Sequence, residues 1–208
     1  MVVRRSVKDQ GYEILKERIL RGEYTPGSAV NIAQLTAELG VSNTPLREAL
    51  SKLETEGLVI KTGARHQVVP FSDKLNEDLD QVMTIQALGA IDLCIQLGKL
   101  DELAVELRNA YDAQLAAYDG EDFYEYLCKT TDFDRAIIKT TNNSMLLSMF
   151  DSSALFLTLA VSTKHKDNFD KNIEEHRDIL EAIENRDINL AKKLIKSHYD
   201  KPLSQYPA

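Results

Sequence analysis

Leu39-Gly40-Val41-Ser42-Asn43-Thr44-Pro45-Leu46-Arg47-Glu48-Ala49-Leu50 is the stretch on which the fold turns. Gly40 is a helix stop, because glycine accepts the left-handed conformation that closes a helix. Val41-Ser42-Asn43-Thr44 is a tight turn with two candidate N-caps, and Pro45 is tolerated in the first turn of the helix that follows. Leu46, Ala49, Leu50 and Leu53 then recur on one face, with Arg47, Glu48 and Lys52 elsewhere, and Gly57 ends the run. Two short helices are therefore joined by a turn of about four residues, and the second presents a polar N-terminal end.

Working outward, Tyr12, Ile14, Leu15, Ile19 and Leu20 form an amphipathic helix that stops near Arg21-Gly22, and Thr25-Pro26-Gly27 is a turn. The helix from about Ile32 to Leu39 opens on Asn31 and Gln34, spaced as a reciprocal capping box. Leu58-Val59-Ile60 and Gln67-Val68-Val69 are β-prone runs about Thr62-Gly63-Ala64-Arg65, the signature of a hairpin. Helix, helix, turn, helix, hairpin is the outline of a winged helix-turn-helix, whose third helix can enter a DNA major groove. A winged helix that serves as a protein adaptor without DNA binding shares this outline.

The chain has 208 residues and a formal net charge of -8, from 25 Lys+Arg and 33 Asp+Glu. Taken whole, that charge argues against nucleic acid. Residues 1–70, however, hold ten basic and eight acidic side chains (+2), and the remainder holds 15 and 25 (-10). The division predicts two domains with different partners, 1–70 and 71–208, parted at Pro70-Phe71-Ser72-Asp73. The apolar runs fall short of a membrane span, and no secretion signal leads the sequence. Cys94 and Cys128 suit a reducing cytoplasm better than a disulfide framework.

From Leu75 onward only helical periodicity appears, in segments 75–97, 101–118, 122–140, 144–163, 173–185 and 188–199. The fold class is thus mainly α: a winged helix-turn-helix followed by an antiparallel bundle of about six helices. Leu190, Leu194 and Ile195 are placed on the core side of the last helix, behind Asp187 as its N-cap.

The run Gly22-Glu23-Tyr24-Thr25-Pro26-Gly27, then 39–50 as quoted, then Leu53-Glu54-Thr55-Glu56-Gly57-Leu58-Val59, resembles the DNA-binding domain of GntR-type transcriptional regulators. The helical remainder resembles the FadR-type C-terminal domain, or FCD. This resemblance implies a homodimer on a pseudo-palindromic double-stranded DNA operator, repressing until a small-molecule effector binds the bundle. It implies that Arg47 contacts bases or phosphates, that Thr44 contacts backbone or base, and that Thr62 and Gly63 reach toward the minor groove. Asn43 stands where the family usually has Arg, and Ala33 where relatives often have Arg; Arg4, Arg5 and Lys8 either restore phosphate attraction or form a solvated tail.

Many FCD domains hold a metal with Asp-x3-His on one helix and a His on each of two later ones. By resemblance, Thr130 takes the Asp position, Asp134 the first His, and His176 and His198 the other two. The expected site is Asp134, His176 and His198 around a divalent ion, Zn, Ni or Mn. The alternative is a vestigial site in which Asp134 hydrogen-bonds both imidazoles. Thr130 and Arg135 are the expected effector contacts. Ile85 and Gly89 occupy the places of the relatives' carboxylate-binding Arg and Glu, which favours a more apolar effector. Tyr111, Tyr118, Phe123, Tyr124 and Tyr126 either line that pocket or form core. His66 and His165 match no ligand. An Asp/His/His site with open positions also occurs in metal-dependent enzymes, the rival reading from another class.

Overall fold

The computed structural model describes residues 7–162 and 170–200. The chain divides into two compact units between Ser72 and Asp73. In the first, α1 (Val7–Leu20), α2 (Ile32–Leu39) and α3 (Asn43–Thr55) accompany a sheet of β1 (Ala29–Val30), β2 (Val59–Thr62) and β3 (Arg65–Val68). The sheet order is β1-β3-β2, antiparallel throughout, with Val59 opposite Val68 and Thr62 opposite Arg65. β1 has no sequence signal, since two residues are too few to show alternation. It forms because Ser28 O accepts from Val68 N, bringing Ala29 and Val30 against β3.

Leu15, Ile19, Leu35, Leu46, Leu50, Leu53, Leu58 and Val68 are fully buried and form the core of this unit. Each such side chain contributes roughly 1.5–3 kcal/mol on burial. Ile14 stays 36% exposed, outside the face assigned to it. Polar contacts fix α3 against α1. The Tyr12 hydroxyl donates to Glu56 at 2.6 Å, Lys16 donates to Tyr12 at 2.9 Å, and Lys52 stands 3.4 Å above the Tyr12 ring. Burial and the Glu56 carboxylate both hold the Tyr12 pKa well above that of a free phenol. The expected capping box forms by half. Asn31 accepts from Gln34 N, but the Gln34 amide turns forward to Glu38, which also pairs with Arg18. Gly40 closes α2 at φ 62°.

The second unit holds α4 (Asp73–Gln96), α5 (Leu100–Tyr118), α6 (Phe123–Thr140), α7 (Ser144–Val161), α8 (Asp170–Glu184) and α9 (Ile188–Tyr199), six helices among the described residues. Asp122, Asn143 and Asp187 cap α6, α7 and α9 through their side-chain oxygens. α5 packs on α6 and α8, α6 on α7, and α8 on α9, while α4 lies against α6, α7 and α9. Tyr126, Phe133 and Phe150 fill the centre. Of the three residues assigned to the core face of α9 only Ile195 is buried. Leu190 is 43% exposed and Leu194 half-buried, because Ala191, Ile195, His198 and Tyr199 define the inner stripe. α7 is long and apolar enough to cross a membrane, contrary to the reading of its apolar runs as too short. It instead packs on α4 and α6, and its one charge, Asp151, pairs with Arg135.

Candidate functional site

Two places gather polar side chains: the start of α3 and the centre of the bundle. On the first unit, Asn43, Thr44 and Arg47 are exposed on the first two turns of α3, opposite the buried Leu46, Ala49 and Leu50. Ser42 occupies the N-cap position without a side-chain bond to the helix, so the terminal N–H groups there remain directed at an approaching anion. Thr62 and Gly63 are exposed at the β2–β3 turn, where Gly63 has φ 63° and a side chain would be strained. Ala33 is exposed on α2. Arg4 and Arg5, and the side chain of Lys8, lie outside the described residues.

On the second unit, Asp134 from α6, His176 from α8 and His198 from α9 converge, all within 4.8 Å of one another and all buried. The two Nε2 atoms are 3.3 Å apart, and Asp134 Oδ1 is 3.8 Å from each. At 3.8 Å, Asp134 Oδ1 stands within ion-pair distance of both rings and beyond hydrogen-bond distance. The tautomers follow from the outer contacts. Gln114 on α5 donates its amide to Thr130 Oγ1 at 3.1 Å and Asn172 Oδ1 at 3.0 Å. Its carbonyl oxygen therefore faces His176 Nδ1, at 2.7 Å, and that nitrogen carries the proton. Glu175 accepts from His198 Nδ1 at 2.9 Å in the same way. The two Nε2 atoms thus face each other and a carboxylate oxygen, close enough for one proton or one cation to be shared among them. Three donors each about 2.1 Å from one ion stand roughly 3.4–3.6 Å apart, close to the spacing of these three atoms.

Burial holds the neighbouring acidic groups toward their neutral forms. Asp80 on α4 accepts from Asn76 at 2.9 Å, and its pKa is raised to about 7 by burial first and Asp200 second, with Asn76 and His198 opposing. Tyr199 is fully buried beside Asp134, and burial above all holds its pKa far up. The Phe133 ring stacks on His176 at 4.0 Å between centroids, fixing the imidazole plane.

Several expected residues fall elsewhere. Arg135 forks onto Asp151 at 2.6 and 3.1 Å, so its donors are engaged between α6 and α7. Thr130 is buried and belongs to the Gln114 network. Ile85 is 70% exposed and Gly89 is also exposed, so the two positions aligned with the relatives' carboxylate-binding pair lie on the outer face of α4. One residue along a helix turns the side chain by about 100°, and a small slip in register exchanges faces. The inner face carries Met83, Gln86, Ala87 and Ala90, which still offers no cation. Tyr118, Phe123 and Tyr126 pack with Leu127 and Val161 as core, and Tyr111 is buried. His66 lies in β3, and His165 is outside the described residues. Gln114, Glu175 and Asn172 were not singled out from sequence. Their only signal is polarity on otherwise apolar faces.

Comparison with known proteins fits this geometry. Residues 8–65 match the family model "Bacterial regulatory proteins, gntR family", and residues 86–201 match the FCD domain. A probable D-xylose utilization operon transcriptional repressor of Paenarthrobacter nicotinovorans is 27% identical over 202 residues, 95% of this chain and 87% of the relative. The HTH-type transcriptional repressor GlaR of Escherichia coli is 26% identical over 203 residues, 93% and 92% of the two chains. Among solved structures, a putative GntR transcriptional regulator from Rhodococcus sp. RHA1 superposes with a TM-score of 0.79 at 17% identity, covering 94% of this chain and 95% of that one.

Proposed function

This chain belongs to the gntR family of bacterial regulatory proteins and carries an FCD domain, and from that premise we propose that it is a ligand-responsive repressor acting as a homodimer on a pseudo-palindromic operator. It is a DNA-binding transcriptional regulator rather than an enzyme. The observation that carries the finer reading is the exposed turn of α3, where Asn43, Thr44 and Arg47 stand together while the other face of the helix is locked in the core. Arg47 presents paired donors suited to guanine O6 and N7. Thr44 takes a phosphate or base, Thr62 and Gly63 approach the minor groove, and Arg4 adds phosphate attraction. Repression is supported by the names of the similar regulators, and the cytoplasm is where such an operator is met.

A second copy suits the outer faces of α4 and α7, which pack on each other and expose Val82, Ile85, Met145 and Met149. Two-fold pairing there makes the operator an inverted repeat. In the bundle, Asp134, His176 and His198 would hold a divalent ion of the Zn, Ni or Mn kind. Such an ion supplies positive charge and open positions for an effector oxygen. Thr130 and the inner face of α4 complete the effector pocket; Arg135 enters it only by leaving Asp151. The effector acts by binding the DNA-competent and DNA-incompetent states unequally.

Selection of bound fragments from genomic DNA, followed by footprinting, tests the regulator. One inverted repeat protected as a unit is the expected result; fragments sharing no half-site would leave the adaptor reading in its place. Elemental analysis of the purified protein beside Asp134→Ala and His176→Ala tests the ion. About one equivalent in the native protein and none in the variants is expected, and equal near-zero content in all three sinks the metal.

A further inference from the structure

We propose that Gln86, on the inner face of α4, anchors the effector, and that the group it holds is uncharged, a carboxamide or a diol. The inference deepens the reading of that face as a wall of the effector pocket and rests on it. Gln86 is 7% exposed and stands on the inner stripe with Met83, Ala87 and Ala90. α4 lies against α6, α7 and α9, so this stripe faces the helices that carry Asp134 and His198. Two contacts bracket Gln86 along that seam. Asp80, six positions earlier, feels the charge of His198. Cys94, eight positions later, lies 4.0 Å from the carbonyl of Ile137, one turn beyond Asp134.

Among the described residues, Gln86 Oε1 is buried with no hydrogen-bond partner. The other buried amides of the bundle are all served. Asn76 donates to Asp80, and Gln114 donates to Thr130 and to Asn172. A buried carbonyl without a donor destabilises the fold, which is why such atoms are few. Leucine would pack on the same apolar stripe and leave no polar atom unserved. Folding alone therefore gives no reason for the amide, whereas a bound molecule does. A side-chain amide offers N–H donors beside a carbonyl acceptor. A carboxamide answers with its own two ends, and a diol with two hydroxyls, one accepting and one donating. A carboxylate only accepts, so it would leave Oε1 facing another oxygen. An ammonium only donates, so it would leave the N–H groups unmet. Either ion would also shed water with no opposite charge beside it among Met83, Ala87 and Ala90. Exchanging the two ends of the Gln86 amide leaves the match unchanged, because the ligand turns with it.

Thermal melting of the full-length protein tests this, first without ligand. Gln86→Leu and Gln86→Met remove the amide and keep its bulk, and each is expected to raise the Tm by about 2–4 °C. A fall in both shows that the fold, or a held water, already serves the amide, and overturns the inference. The second step is a panel of small carboxamides and diols, each beside the compound with a carboxylate in place of that group. Neutral members are expected to shift the native protein in preference to their carboxylates. Titration calorimetry should show the two variants binding those members on the order of tenfold more weakly. The inference is overturned if the carboxylates are preferred, or if the variants bind the neutral members as the native protein does; either result leaves the effector reading standing. A panel in which nothing shifts the native protein overturns the ligand-responsive reading together with this one.

Discussion

The first turns of α3 and the centre of the bundle each bring three polar side chains to one partner, but they differ in what holds those side chains in place. On α3, Asn43, Thr44 and Arg47 lie within five positions of one helix, and a turn, a proline and the buried Leu46 aim them outward. In the bundle, Asp134, His176 and His198 come from three helices, and a fourth supplies Gln114 to orient one of the rings. Local placement makes each residue of α3 answer for its own contact. Convergent placement makes His176 and His198 depend on Gln114 and Glu175 for their orientation.

The largest effect expected from this contrast is on the outer surface. Arg47→Ala is expected to weaken operator binding by about 1–3 kcal/mol for each half-site that the proposed base contact serves, roughly twice that for the proposed dimer. Fluorescence anisotropy on the selected operator measures it, with the circular dichroism of the protein unchanged. Altered folding would show that Arg47 is not locally placed after all. Next comes loss of the ion. A chelator or Asp134→Ala is expected to lower the Tm of the bundle, since a ligand at a thousand times its Kd adds about 4 kcal/mol to the folded state. Unchanged melting with and without chelator would break the inner half of the comparison.

A smaller loss sharpens it. Gln114→Leu leaves all three ligands in place but frees the tautomer of His176, and metal affinity should fall about 10–100-fold. Gln114→Glu, which keeps an acceptor at His176 Nδ1, should recover most of it. If Gln114→Leu binds as tightly as the native protein, the three ligands are as self-sufficient as α3. The smallest effect concerns pH. Asp80 titrates near 7 in the folded protein and in the ordinary carboxylate range when unfolded. The folded state holds the extra proton between those values, so this residue destabilises increasingly as pH rises toward 7 and fully above it. Asp80→Asn is therefore expected to raise the Tm at pH 8 more than at pH 5. An equal gain at both pH values would show that the carboxylate charge is not the cause.

The same contrast explains what could be read from the sequence. Gly40, Pro45, Gly57 and the apolar spacing of Leu46 to Leu53 are local signals, and they mark the ends and the face of α3 to within a residue or two. The bundle helices were legible for the same reason, through local periodicity and a cap such as Asp187. Asp134, His176 and His198 came from likeness to a family, since no spacing along the chain brings them together. What was lost depended on distance or on a single step of register. Gln114 lies 62 positions from the His176 that it orients. Ile85 and Gly89, aligned with the relatives' carboxylate-binding pair, lie off the inner stripe of α4, which runs through Met83, Gln86 and Ala87. β1 was invisible because its cause is the neighbouring strand, not its own two residues.

Helix α7 keeps one side exposed within one chain, with Met145 and Met149 outermost. If a second copy covers that face, the stability of the bundle becomes a function of how many copies the cell holds. Dilution would then loosen the sensor and part the paired readers together, so occupancy of the operator would fall more steeply than protein level. The same two thioethers are open to oxidation, which makes them polar. Oxidant would then act as dilution does, with no change in the amount of protein.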